Sequence, residues 1–224
     1  MKKIGSCALL CALLLSLLSG CAAETFTEEH YAADPAQISQ IQLDLRDRQV
    51  EVIASTDGQI HLRYSQSDSE FYRIAEKDGV LTMTSESNRK WYQYFGWKTN
   101  ETHRIVVLEL PPEALGSLAI STTNEDIRVS TLSVSDGISL SANGGNIAFD
   151  GLRAEGAIFL AVKNGDIQGT ILGSYEEYSI TCAIKKGESN LASNPNDTGK
   201  PLTISANNGD VDIQFQPSTQ PQWP

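Results

Sequence analysis

The sequence predicts an all-β protein whose second half winds as a parallel β-solenoid. Three observations carry this. The phrase "VKNGDI" (162–167) has near copies at "ANGGNI" (142–147) and "ANNGDV" (206–211). Apolar residues fill every second position on both sides of it, the period of a strand. The same columns also return at a fixed step: Leu118, Ile138, Ile158 and Tyr178 are each 20 residues apart, and Leu202 follows after 24. Further columns read Ile120, Leu140, Leu160, Ile180, Ile204 and Thr122, Ala142, Val162, Cys182, Ala206. Beyond the turn come Ile127, Ile147, Ile167, Val211, then Val129, Phe149, Gly169, Ile213, and Leu132, Leu152 and Leu172 close each unit. A constant step lets each strand lie over its predecessor at about 4.8 Å. Parallel strands need a crossover, and here each unit supplies its own as a second strand. Two meandering sheets would also give short strands and regular turns, but they would not require like residues at constant spacing.

Taken in order, the chain opens on Met1-Lys2-Lys3, an apolar run from Ile4 to Leu18, and "LSGC" at 18–21. A short basic start and a short apolar run predict a secretory signal over 1–20 rather than a spanning helix. Leu18-Ser19-Gly20-Cys21 resembles the lipobox of bacterial lipoproteins, in which the cysteine is lipidated and becomes the new N-terminus; a plain signal peptide with a chance cysteine is the alternative. Cys7 and Cys11 would leave with the signal and Cys21 would carry lipid, so Cys182 remains as a lone thiol and no intramolecular disulfide is expected. Loss of Lys2 and Lys3 takes the formal charge from −11 to −13. That balance argues against nucleic acid as a partner and is compatible with cation binding or a body held off an anionic bilayer.

Residues 21–37 read as the lipidated cysteine and a flexible tether, being acidic, small and aperiodic. An irregular β part is expected over 38–117. It holds a fainter copy of the repeat (Ile41, Leu43, Leu45, then Val50, Val52) and the runs 59–64, 72–85 and 104–111, the last stopped by Pro111-Pro112. The repeats fill 118–215. Asn and Gly at their corners suit a bend that needs positive φ. The fourth unit departs, with "CAIKKGESNL" (182–191) and an added loop "SNPNDTGKP" (193–201) expected to bulge from one face. "QPSTQPQWP" (216–224) reads as a disordered tail.

A lipobox, an irregular β half with "DGVLTM" and "VVLELP", and then stacked Asn164-Gly165-Asp166-Ile167 and Asn208-Gly209-Asp210-Val211 together resemble the putative-adhesin β-strand-repeat domains of unknown function from exported bacterial proteins. The likeness covers roughly 38–215. It implies a right-handed β-helix-like fold at the cell envelope, adhesin-like or envelope-stress accessory roles, and no catalytic residues to carry over.

The candidate binding loop lies at 89–98. Trp91, Tyr92, Tyr94, Phe95 and Trp97, flanked by Arg89, Lys90 and Lys98, suit a membrane interface, a glycan or a partner groove. The same segment could instead close an open end of the stack. The turn ladder comprises Asn124, Asp126, Gly145, Asn146, Asn164, Gly165, Asp166, Asn208, Gly209 and Asp210. Its Asp126, Asn146, Asp166 and Asp210 could face calcium, but one carboxylate per corner is thin and local hydrogen bonds explain the pattern as well. Cys182 reads as a small core residue. His30, His61 and His103 show no metal-ligand spacing and no Ser/His/Asp pattern. No phosphate loop or other cofactor motif is found, and "NET" (100–102) and "NDT" (196–198) would be idle glycosylation patterns in a bacterial lipoprotein. A polysaccharide-active enzyme would need paired carboxylates on one lateral face, whereas the outward charges (Glu125, Arg128, Asp150, Arg153, Lys163, Lys185, Lys186) are sparse.

The expectation is therefore a non-enzymatic, adhesin-like or envelope-associated lipoprotein without cofactor or metal. It would be lipid-anchored to the outer face of the bacterial cytoplasmic membrane or another envelope membrane. Its partners would be that membrane and, through the aromatic loop, an envelope protein, a glycan or a lipid surface. An envelope-stress accessory or sensor is the alternative.

Overall fold

The structure, a computed structural model, describes residues 24–89, 101–111 and 115–217. Its strands are β1 (Thr27–Ala33), β2 (Gln40–Leu45), β3 (Gln49–Ala54), β4 (Ile60–Gln66), β5 (Glu70–Lys77), β6 (Val80–Ser87), β7 (Ile105–Leu110), β8 (Ser117–Thr122) and β9 (Ile127–Val129). There follow β10 (Leu132–Val134), β11 (Gly137–Ala142), β12 (Ile147–Ala154), β13 (Ile158–Asn164), β14 (Ile167–Leu172), β15 (Tyr178–Lys186), β16 (Lys200–Asn208) and β17 (Val211–Gln216). Two short 3-10 turns, Glu101–Arg104 and Tyr175–Glu177, are the only helical elements among the described residues. No helix there is long and apolar enough to cross a membrane.

The strands form two stacked sheets, and each turn of chain gives one strand to each. The nine-stranded sheet runs β1-β4-β7-β3-β9-β12-β14-β17 with β10 beside β12, and the eight-stranded sheet runs β15-β16-β13-β11-β8-β2-β6-β5. Pairing from β8 onward is parallel, and Leu118, Ile138 and Ile158 lie side by side as expected, as do Ile120, Leu140 and Leu160, but the register shifts after Phe149, so Leu152 lies beside Ile171 rather than Leu172. The fainter N-terminal copy is the next rung, with Ile41 beside Leu118 and Val50 beside Ile127. Inward residues of both sheets meet in one core. Ile41, Leu118, Ile138, Ile158, Leu202 and Ile180 are each at most 2 % exposed. The break in the pattern at Gly169 makes room for a neighbour, since a Cβ there would lie 2.4 Å from the Phe149 ring.

Chain order and rung order part company in two places. β6 and β7 form a rung on the far side of β2 and β3, and β5, β4 and then β1 are added antiparallel beyond it. The β5–β6 hairpin turns on Asp78-Gly79, both at positive φ (52° and 78°), as a two-residue loop of this twist requires. At the other end β16 slips beneath β15. Leu202 rather than Tyr178 lies beside Ile158, and Ile180 then lies beside Leu202.

Four expectations are corrected here. The tether over 21–37 does not hold beyond its start, because β1 pairs with β4 along its whole length. Cys182 belongs two positions earlier in the columns, beside Ile204, and is half-buried on the outermost strand rather than in the core. The 193–201 loop does not bulge from a face. It turns back along the outer edge, where Ser189 bridges to Val211 and Asn194 to Ile180, while Leu191 packs on the core. Finally, the corner Asn and Asp residues of the repeats are not at positive φ; among the described non-glycine residues only Asp47 and Asp78 are.

Candidate functional site

The corners joining the eight-stranded to the nine-stranded sheet stack along one edge, and the turn ladder is built there. Asp126 Oδ1 accepts the Asn146 N–H (2.9 Å), Asn146 Oδ1 the Asp166 N–H (2.9 Å) and Asp166 Oδ1 the Asp210 N–H (2.8 Å). Asp210 Oδ1 then accepts the Glu188 N–H of the outermost corner (2.8 Å). Each side chain thus bonds the main chain of the next rung, not its own turn. A second file runs beside it, in which the Asn124 amide donates to Asp47 and the Asn208 Nδ2 donates to Asn164 Oδ1 at 2.7 Å. The glycines of the ladder answer to crowding. A Cβ on Gly145, Gly165 or Gly209 would lie 2.1, 2.2 or 1.9 Å from the carbonyl oxygen of the neighbouring corner. This row is a structural seam, with each carboxylate of the file already holding an amide.

The same edge carries, at its N-terminal end, a side-chain network absent from the sequence reading. Arg48, 4 % exposed, donates from Nε to the Tyr72 hydroxyl (2.5 Å) and from Nη2 to Glu70 (2.7 Å). Glu70 also holds Arg89 Nη1 at 2.8 Å, and Arg89 reaches on to the Glu24 carboxylate, which accepts the Ser67 and Ser69 hydroxyls as well. Burial works to raise the Glu24 pKa, but the two hydroxyls and the Arg89 guanidinium outweigh it and hold the carboxyl below its ordinary 4.5. Burial likewise raises the Tyr72 phenol, opposed by Arg48. Two guanidinium and two carboxylate groups interleave here, so desolvation is offset by pairing.

Of the predicted binding loop only Arg89 lies among the described residues; Lys90, Trp91, Tyr92, Tyr94, Phe95, Trp97 and Lys98 lie outside them, as does Cys21. Both stems of that loop are pinned. Arg89 sits in the network, Arg104 pairs with Glu125 of the first repeat corner, and the His103 ring stacks on Phe26 (centroids 4.8 Å apart). A shallow concavity of about 390 Å³ lies nearby, lined by Glu28, His30, Arg63, Ser65, Thr102 and Val107 among others.

Sequence reasoning also left the histidines apart, and the fold brings two together. His30 on β1 and His61 on β4 meet at 2.9 Å between ring nitrogens, and the other nitrogen of His61 lies 2.9 Å from both Asp57 oxygens. No spacing rule could find a pair 31 residues apart on antiparallel strands.

The chain matches the model of the Toastrack DUF4097 family over residues 38–222. Among solved structures it is similar to a putative cell adhesion protein from Clostridium sporogenes, with 11% identity, a TM-score of 0.57, and coverage of 86% of this chain and 100% of that one. A putative adhesin from Bacteroides fragilis aligns at 13% identity and a TM-score of 0.38, covering 87% of this chain and 98% of its own. One from Parabacteroides merdae aligns at 14% and 0.38, covering 86% and 92%. At these identities the first shows a shared fold. No curated protein matches.

Proposed function

The chain belongs to the Toastrack DUF4097 family, and on that premise we propose that it is a membrane-anchored lipoprotein of the bacterial cell surface. In this reading it is a non-enzymatic, adhesin-like scaffold, wound right-handed as parallel crossovers prefer, that holds a lateral face toward an envelope partner. One observation carries the reading: Glu24, three residues past the lipobox Cys21, is already tied to Ser67, Ser69 and Arg89. Three residues reach at most about 10 Å. A lipidated Cys21 would thus keep this corner against the bilayer instead of letting the body swing on a long tether. Two acyl chains hold firmly, each buried methylene contributing about 0.8 kcal/mol. The stem of the aromatic segment, Arg89, shares the same clamp, so membrane and partner contacts would arise side by side.

The ladder supports the scaffold role, because its Asp and Asn oxygens serve rung-to-rung cohesion. The adhesion relative with a shared fold points the same way. Membrane fractionation of a Cys21→Ala chain tests the anchor: release to the soluble fraction is expected, and full retention after a carbonate wash overturns it. A photoreactive residue at Asn88, exposed beside the clamp, should crosslink in intact cells to a glycan or an envelope protein. Turnover of wall polysaccharide that disappears in Glu125→Gln would overturn the non-enzymatic part.

A further inference from the structure

We propose that His30 and His61 form a site for a divalent transition metal that favours imidazole, copper(II) foremost, with Asp57 as the group that orients it. It rests on geometry independent of the anchor. His61 Nε2 faces both oxygens of Asp57, at 2.9 Å each. Asp57 also accepts the Ser55 hydroxyl (2.9 Å) and the Gln59 N–H (3.0 Å). A carboxylate so used is an ionised acceptor, so His61 Nε2 carries the proton and the Nδ1 lone pair is left facing His30. A histidine whose far N–H is held by a carboxylate is the arrangement that prepares an imidazole to bind metal.

The two facing nitrogens are close enough to share one ion. His30 Nε2 and His61 Nδ1 are 2.9 Å apart. Nitrogens sharing one ion at about 2.0–2.1 Å stand about 2.9–3.4 Å apart, and among divalent ions imidazole sites bind copper most tightly. In the hydrogen bond the two rings face each other head-on, so chelation requires each to turn until both lone pairs converge on the ion, a motion open to His30 on its exposed edge strand. Binding replaces the hydrogen bond between the rings. The His30 proton shifts from Nε2 to Nδ1, so both facing nitrogens become ligands and no proton is lost.

The surroundings suit a cation. Asp57 carries a negative charge, and Glu109, directly across from His61 on β7, offsets the Arg63 guanidinium it holds at 2.8 Å. Among the described residues no third His, Cys, Asp or Glu completes a preformed cluster, so water fills the remaining positions and a partner's side chain could replace it. His30 is exposed on the edge strand. The ion would consequently staple β1 to β4 while remaining open outward.

The test uses the full-length chain in detergent with Cys7, Cys11, Cys21 and Cys182 all replaced by Ser, which removes the competing thiols, titrated with copper(II) chloride alone. One saturable equivalent is expected, with an axial paramagnetic resonance spectrum split by two imidazole nitrogens. His30→Gln and His61→Gln should each weaken binding at least about 10-fold, and Asp57→Asn about 10–100-fold. Zinc chloride should bind more weakly than copper. His30 is exposed, so its variant keeps the fold, and circular dichroism confirms that. Absence of saturable binding, or unchanged affinity and spectrum in His30→Gln, overturns the site; unchanged affinity in Asp57→Asn overturns its orienting role.

Discussion

Between β8 and β17, neighbouring rungs are joined by main-chain ladders and by one Asn or Asp per corner that bonds the next rung's amide. Beyond the rung of β6 and β7 the added strands β5, β4 and β1 run antiparallel, and cohesion at the same edge passes to a charged network through Arg48, Glu70, Arg89 and Glu24. The first region repeats one solution, so its contacts are interchangeable and close-packed. The second solves a different problem, ending the stack where the chain enters, and each contact there is used once. A periodic region should fail by crowding, and the end region by loss of a charge partner.

The largest effect is expected from Gly165→Ala. Its Cβ would stand 2.2 Å from the Gly145 carbonyl oxygen, at a φ of +152°. Neither rung can yield without breaking the ladder, so destabilisation of about 3–5 kcal/mol should appear in urea unfolding. Gly58→Ala, in the connection from β3 to β4, supplies the contrast. Nothing lies within 4 Å of its Cβ, and φ is +77°, so only the backbone preference is lost, about 1 kcal/mol. Equal losses at the two glycines would erase the distinction between the regions.

That distinction also sets what the sequence made legible. Ile120, Leu140 and Leu160 could be superposed in advance because every rung reuses one geometry, and Ile41 to Val52 were readable for the same reason. The order of the last two rungs was not. Ile180 and Leu202 present the same apolar pattern, and a hydrophobic column cannot record that the chain doubles back through 187–199 to set β16 inside β15. β1 escaped notice because it is an edge strand, with only Tyr31 and Ala33 marking its inner face. Nothing local in "LRDRQV" marks Arg48 as buried; its burial depends on Tyr72 and Glu70, more than twenty residues away. Of the ladder, the residues were foreseen but the bonding was not, since an Asn that bonds its own turn and one that bonds the next rung read alike.

Arg48→Met should cost about 3 kcal/mol, because it leaves the Tyr72 hydroxyl and one side of Glu70 without their buried partner. Arg89 still neutralises Glu70, which keeps the loss from growing further. Thermal unfolding checks it. A neutral result would mean that the methionine packs as well as the ion pair binds, and that the charged end is replaceable. Asn146→Ala, at an exposed corner, removes the acceptor of the Asp166 amide and should cost about 1 kcal/mol. Asn146→Asp restores that acceptor but sets a carboxylate in place of the Nδ2 that donates to Asp126 Oδ1 at 3.3 Å, so it should recover only part of the loss near neutral pH.

The smallest effect belongs to Glu24 and depends on pH. Its folded carboxyl is held below the ordinary 4.5 by Ser67, Ser69 and Arg89, against the opposing pull of burial. A depressed acid contributes stability above its unfolded pKa and loses it as pH falls through the folded value. The clamp should thus be whole near neutrality and weaken as acid reaches the carboxyl. Asp57 and Glu155 are lowered too, Asp57 chiefly by the Gln59 amide and Glu155 chiefly by Lys200, so the raw acid limb mixes several groups. The informative quantity is the difference in unfolding midpoint between the parent and Glu24→Gln, followed from about pH 7 to about pH 3. It should be positive at the neutral end and shrink toward zero at the acid end. A constant difference across that range would mean that the hydroxyls, rather than the charge on Glu24, fasten the entering chain to the stack.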